Sequence, residues 1–146
     1  MAEFIREYAD AHHHGKEEEI LFATMIEHGF SDTTGPLAVM LADHTEGRRL
    51  TGTVREIGGR PGELTADERR EAAAALEGYA ELLGAHIWKE DQVLYPMAER
   101  ALVGESWETV SARCAAFDAA KEATGGPGRL RALGEELITA YGIPQT

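Results

Sequence analysis

Two stretches of this chain set a histidine and a glutamate four positions apart. They are His13 and Glu17 in His13-His14-Gly15-Lys16-Glu17, and His86 and Glu90 in His86-Ile87-Trp88-Lys89-Glu90. Aligned on Lys-Glu, both read His-x-x-Lys-Glu-acid-x-aliphatic-Leu-aromatic. On a helix, a spacing of four returns to the same face, so each imidazole lies one turn from its carboxylate. A nitrogen donor beside an oxygen donor that can chelate or bridge, presented twice, is a transition-metal donor set. The competing reading of Glu17-Glu18-Glu19 is a solvated face paired with lysines. Recurrence of the whole pattern at helix-compatible places weighs against it.

These side chains need helices to carry them, and helix signals dominate the chain. Residues from about Glu3 to Glu27 lack proline and place Phe4, Ile5, Tyr8, Ile20, Leu21 and Met25 at helical spacing. His28-Gly29 marks the end, with Gly29 as the left-handed residue and His28 as a cation near the C-terminus. Pro36 suits the first turn of a second helix, which closes at Gly58-Gly59. Thr65-x-x-Glu68 is a capping box opening a third, long helix whose apolar set runs from Leu76 through Tyr79 and Ile87 to Leu94. Pro96 is expected to kink or end that helix near Tyr95. A fourth helix, capped by Ser106, runs to about Ala123 with Trp107, Val110, Cys114 and Phe117 on one side. Gly125-Gly126-Pro127-Gly128 is the strongest break, and a last helix follows from about Arg129 to Tyr141.

Short connections between long helices imply an all-α, up-and-down four-helix bundle. The first and third helices then run in the same direction, and the two motif copies face each other. The second helix runs oppositely and offers His44. His44 lies about 12 Å past Pro36, and Glu17 about 15 Å before the end of the first helix, so their depths agree within a turn. The expected ligands are His13, Glu17, His44, His86 and Glu90. Bundles build two-iron or two-manganese centres from such residues, and iron suits mixed imidazole and carboxylate donors. His12 and His14 point off the His13 face, toward surface or supporting roles. Asp91 is an alternative to Glu90, and Asp10 a weaker candidate. Tyr79 and Tyr95 read as core, and Lys16 and Lys89 as outward.

Composition sets the outer bounds. The 146 residues suit a single domain. A net charge of -12 argues against nucleic acid as partner. No apolar run approaches the roughly 20 residues of a membrane span, and no signal peptide is visible. One cysteine, Cys114, excludes an internal disulfide and fits a reducing cytoplasm.

Three strings carry a closer likeness: His-His-Gly-Lys-Glu-Glu-x-Ile-Leu-Phe at 13–22, Gly-Pro-Leu-x-Val-Met-Leu-x-x-His-x-x-Gly-Arg at 35–48, and His-Ile-x-Lys-Glu-Asp-x-Val-Leu-Tyr-Pro at 86–96. Together, over most of residues 4–100, they resemble the hemerythrin-like family, also called the HHE cation-binding domain. The resemblance implies a four-helix bundle around a non-heme di-iron centre, with His13 and Glu17, then His44, then His86 and Glu90 as ligands. Two departures stand out. The family usually carries an earlier helix with a further histidine ligand, and Met1 begins too late for it. No histidine follows His86, so the extra C-terminal helices (106–141) cannot replace that ligand like for like. One iron is then under-coordinated, or completed by water, Asp10, His12 or another chain; one iron per chain instead of two is the alternative. Ala23 replaces a proline the family often has, which lets the first helix run on.

The leading expectation is a non-heme iron protein that binds or senses O2 or NO, or handles iron and redox. A di-iron oxidase or peroxidase, with Tyr95 or Tyr79 as proton donor, is the enzymatic alternative. The third is an interaction module with a vestigial metal site. A bundle lacking one wall would expose an apolar stripe and favour a homodimer.

Overall fold

A computed structural model describes residues 10, 12–123 and 126–141 of the chain. The expected start of the first helix near Glu3, with Phe4, Ile5 and Tyr8, lies outside the described residues. We denote by α1 the helix followed from residue 12, which is π-helical over Glu17–Phe22 and α-helical over Ala23–Glu27. It runs unbroken through Ala23 and ends at Gly29, whose φ of 91° is left-handed. There the Gly29 N–H donates to Ile26 and the Phe30 N–H to Met25, the paired bonds of a Schellman stop.

Helix α2 is Gly35–Gly58, with Pro36 in its first turn. Helix α3 begins at Ala66 behind a complete capping box. The Thr65 side chain accepts from the Glu68 N–H, and the Glu68 side chain accepts from the Thr65 N–H. The helix is α over Ala66–Lys89, π over Glu90–Leu94, and α again over Tyr95–Ala101. Pro96 therefore does not end it. The proline ring would meet the carbonyl four residues back in a continuous α-helix. The wider turn just before it, closed by the Tyr95 N–H on the Glu90 carbonyl, takes up that misfit.

Helix α4 is Glu105–Ala123 and α5 is Gly126–Tyr141. The last helix thus starts earlier than expected, because Pro127 sits at its opening, where a missing N–H costs nothing. Ser106 does not cap α4. Its hydroxyl meets His28 Nε2 at 2.9 Å, while His28 Nδ1 lies 2.9 Å from the Thr24 carbonyl, so His28 ties the end of α1 to the start of α4.

Contacts between elements give the topology. His44 meets His86, and the pair Leu50 and Ala75 lies farther along, so α2 and α3 are antiparallel. Glu17 meets Tyr95 as His13 meets Glu90, so α1 and α3 run the same way. Helix α4 lies antiparallel along α1, with Arg113 donating to the Glu19 carbonyl and Lys16 paired to Asp118. The bundle is all-α and up-and-down, with no strand among the described residues and α5 beyond the four. No helix among them is long and apolar enough to cross a membrane.

The apolar core has two parts. One contains Ile20, Phe22, Met25, Leu37, Met40, Leu94, Ala98, Leu102 and Val110. The other contains Leu50, Ala75 and Tyr79, with Val54, Leu82 and Leu83 against them. Along α2, His44 falls between Met40 and Leu50; along α3, His86 falls between Leu83 and Leu94. A polar layer is therefore held between two apolar plugs. Ile87, in the apolar set of the third helix, and Trp107, on the apolar side of the fourth, are 46% and 41% exposed.

The α3 cap gives a direct test. Replacing Thr65 with Ala should cost about 1 kcal/mol of unfolding free energy at neutral pH. The Arg60 guanidinium and the Thr65 donors lower the Glu68 carboxyl from 4.5 to about 2. A carboxyl held low stabilises the fold above its ordinary value and loses that contribution as pH falls toward about 2. Thermal midpoints of wild type and Glu68→Gln should therefore converge below about pH 4.5; a gap that persists at pH 2 would exclude the capping role.

Candidate metal centre

The buried side chains of the polar layer come from three helices. Glu17 and His14 project from α1, His44 from α2, and His86 and Glu90 from α3; all are 5% exposed or less. One ligand atom from each of Glu17, His44, His86 and Glu90 lies within 4.8 Å of all the others, and His14 forms a similar group with His44 and His86. His44 Nε2 is 3.3 Å from His86 Nε2. Around that pair, His44 Nε2 is 3.5 Å from Glu17 Oε2, and His86 Nε2 is 3.0 Å from Glu90 Oε1.

The outer nitrogens explain which way the inner ones face. His44 Nδ1 is 2.6 Å from Glu18 Oε1, and Arg48 donates to the same oxygen at 2.8 Å. His86 Nδ1 is 3.2 Å from Asp43 Oδ2, which Lys89 also engages. A carboxylate only accepts, so each Nδ1 carries a proton and each ring turns its Nε2 inward. With both Nε2 atoms unprotonated, two lone pairs would face each other among carboxylate oxygens, an arrangement that repels unless positive charge lies between them. Glu17 Oε2 and Glu90 Oε1 are buried without accepting any hydrogen bond. Buried polar atoms left unpaired are rare, and here they converge.

The five expected residues are placed as follows. Glu17, His44, His86 and Glu90 come together in the buried layer. His13 stands at its rim with a 43% exposed side chain, its Nε2 3.8 Å from both Glu17 Oε2 and Glu90 Oε1. Asp91 is exposed. Asp10 is taken up by Arg48 at 2.6 Å. His12 lies 3.1 Å from Asp118 and edge-on to Phe117.

His14 corrects the expectation that it points off the ligand face. It lies three positions before Glu17, on the stripe that continues to Ile20 and Thr24, all of them buried. That i, i+3 spacing was the available signal, masked by the stronger i, i+4 pairing of His13. Lys16 and Lys89 correct a second expectation. Neither simply points outward: Lys16 pairs with Asp118 on α4, and Lys89 with Asp43 on α2. Tyr95, read as core, donates to Glu17 Oε1 at 2.7 Å.

The family model of the hemerythrin HHE cation binding domain matches residues 1–98, two thirds of the chain. The chain belongs to that family. No curated protein and no solved structure matches it significantly. The family binds metal, usually iron, and small ligands such as O2, and the buried His/Glu cluster of this hemerythrin-like chain is compatible with iron. The donor set fits on its own chemistry as well. Imidazole nitrogens and carboxylate oxygens suit iron, and no thiolate competes, since Cys114 packs in the apolar core.

The proton affinities follow the same geometry. Burial, and then the neighbouring His44, His13 and His86, lower the His14 imidazole to about 3. Burial lowers His86 too, but Glu90 and Asp43 outweigh it and leave it raised. Burial alone would raise Glu17, whereas His44, His13 and Tyr95 bring it below the usual carboxylate value. Burial and the Glu17 carboxylate raise the Tyr95 phenol far above its ordinary value. Tyr95→Phe removes the donor to a buried carboxylate, and should lower the stability of the metal-free protein by about 1–3 kcal/mol. An unchanged urea midpoint would mean that Glu17 does not depend on the phenol.

Proposed function

We propose that this chain is a non-heme iron protein in which His13, Glu17, His44, His86 and Glu90 hold iron, two ions per chain, for binding or sensing a small ligand such as O2 or NO, or for iron and redox handling. The observation that carries the reading is the 3.3 Å approach of two inward Nε2 atoms beside two buried, unpaired carboxylate oxygens. Ferrous iron, if held by these residues, would supply electrons to a diatomic ligand. The chain's own residues prepare the place. Glu18 and Asp43 hold the His44 and His86 rings with their lone pairs inward. Tyr95 fixes one oxygen of Glu17 and leaves the other directed at His44. Phe22, stacked at 5.6 Å on His44, keeps water from that side. A cytoplasmic location belongs to this reading, as does a homodimer. Because α4 supplies the fourth rod from the chain itself, such a dimer would draw on exposed Ile87 and Trp88 rather than an open bundle side.

One observation bears on the enzymatic alternative. Tyr95 puts a phenol beside Glu17, but burial and that carboxylate hold its proton tightly. This favours ligand binding over acid catalysis, and steady peroxide consumption by iron-loaded protein would reverse the preference. Burial of Glu17 Oε2 and Glu90 Oε1 without a hydrogen-bond partner counts against a vestigial site, because such atoms carry a cost that a bound cation would relieve.

Protein purified in air without added metal should contain about two irons per chain and absorb visible light. Glu17→Ala and His86→Ala should each lose most of that iron. Wild-type protein that takes up none after anaerobic loading with ferrous ion would refute the proposal. Asp43→Asn, which replaces the acceptor behind His86, should weaken iron affinity by about 10–100-fold in a chelator competition. Unchanged affinity would show that Asp43 serves only Lys89.

A further inference from the structure

We propose that His14 is an additional ligand, giving the centre a third inward imidazole beside His44 and His86. This inference rests on the iron-binding reading of the same site. His14 is 5% exposed, and neither Nδ1 nor Nε2 makes a hydrogen bond. Its ring lies parallel to that of His44, with centroids 3.9 Å apart at 15°, and edge-on to His86 at 5.6 Å. A ligand atom of His14 lies within 4.8 Å of ligand atoms on both other histidines.

The competing account makes His14 a flat filler between two ligands. A filler has no need of nitrogen, and an imidazole left unpaired in that place costs stability that phenylalanine or leucine would not. Asp10 does not supply the missing partner. Its Oδ1 stands 3.8 Å from His14 Nδ1, beyond hydrogen-bond reach, and accepts from Arg48 instead. His13 differs in kind. It sits at the rim near the carboxylates, so the two adjacent histidines face different parts of the donor set, His14 toward the imidazoles and His13 toward Glu17 and Glu90.

The test compares iron content and metal-induced thermal stabilisation in wild type, His14→Phe and His14→Leu. If His14 is a ligand, both variants stay helical and the metal-free forms melt no lower than wild type. Iron content falls by about half, from about two ions per chain, and the rise in melting temperature on loading shrinks. Variants that load as much iron as wild type, with the same spectrum, would overturn the inference and leave the site itself intact. Wild type that fails to load overturns the underlying reading instead. Should neither variant fold, cobalt-loaded protein decides by NMR. One strongly shifted imidazole N–H resonance fewer in cobalt-loaded His14→Gln than in wild type marks His14 as bound, and an unchanged set of shifted resonances overturns the proposal.

Discussion

The whole arrangement turns on an unfavourable local interaction: imidazole lone pairs and carboxylate oxygens brought together away from water. Burying an unpaired carboxylate costs several kcal/mol, and Glu17 and Glu90 are both nearly sealed. The adjacent apolar layers supply the opposing free energy. Each of Phe22, Met25, Leu37 and Leu94 contributes about 1.5–3 kcal/mol by burial. The bundle can therefore hold a polar layer that would not hold itself. A cation in that layer would convert its mutual repulsion into attraction, so such a centre would be both ligand site and structural element.

The repeat is structural as well as sequential. Each copy begins a π turn at its glutamate, Glu17–Phe22 in α1 and Glu90–Leu94 in α3. Such wide turns concentrate at functional sites because they re-aim side chains without ending the helix. The motif lysines follow the same logic, each reaching an aspartate on the next rod, Asp118 for Lys16 and Asp43 for Lys89. The aspartates in turn meet histidines, His12 and His86 respectively. Lys-Glu is thus conspicuous in the pattern because one residue locks the rods together and the other turns inward between them.

Much of this was legible from the chain, for reasons that are local. The capping box at Thr65 and Glu68 and the stop at Gly29 depend on a few adjacent residues, and both formed as read. The meeting of Glu17, His44, His86 and Glu90 followed from helix periodicity and the order of the rods. What was missed depends on contacts between rods or on departures from the α period. Pro96 looked like a breaker because the compensating π turn is invisible to a 3.6-residue reading. Lys89 looked solvated because its partner, Asp43, is 46 residues away. His14 was set aside because three histidines in a row leave the facing one undecided until the helix is rotated into its neighbours.

The two copies are similar but not equivalent, and the difference has a direction. His86 is 3% exposed and braced from behind by Asp43 and Lys89. His13 is 43% exposed, and the brace in its copy goes to His12 instead. The α3 side of the donor set is therefore closed and rigid, whereas the α1 side meets solvent at His13. His13 is thus the partly exposed side chain next to both buried carboxylates. On the proposed reading, the buried α3 half would set the geometry of a bound ion and the exposed α1 half would face what approaches it.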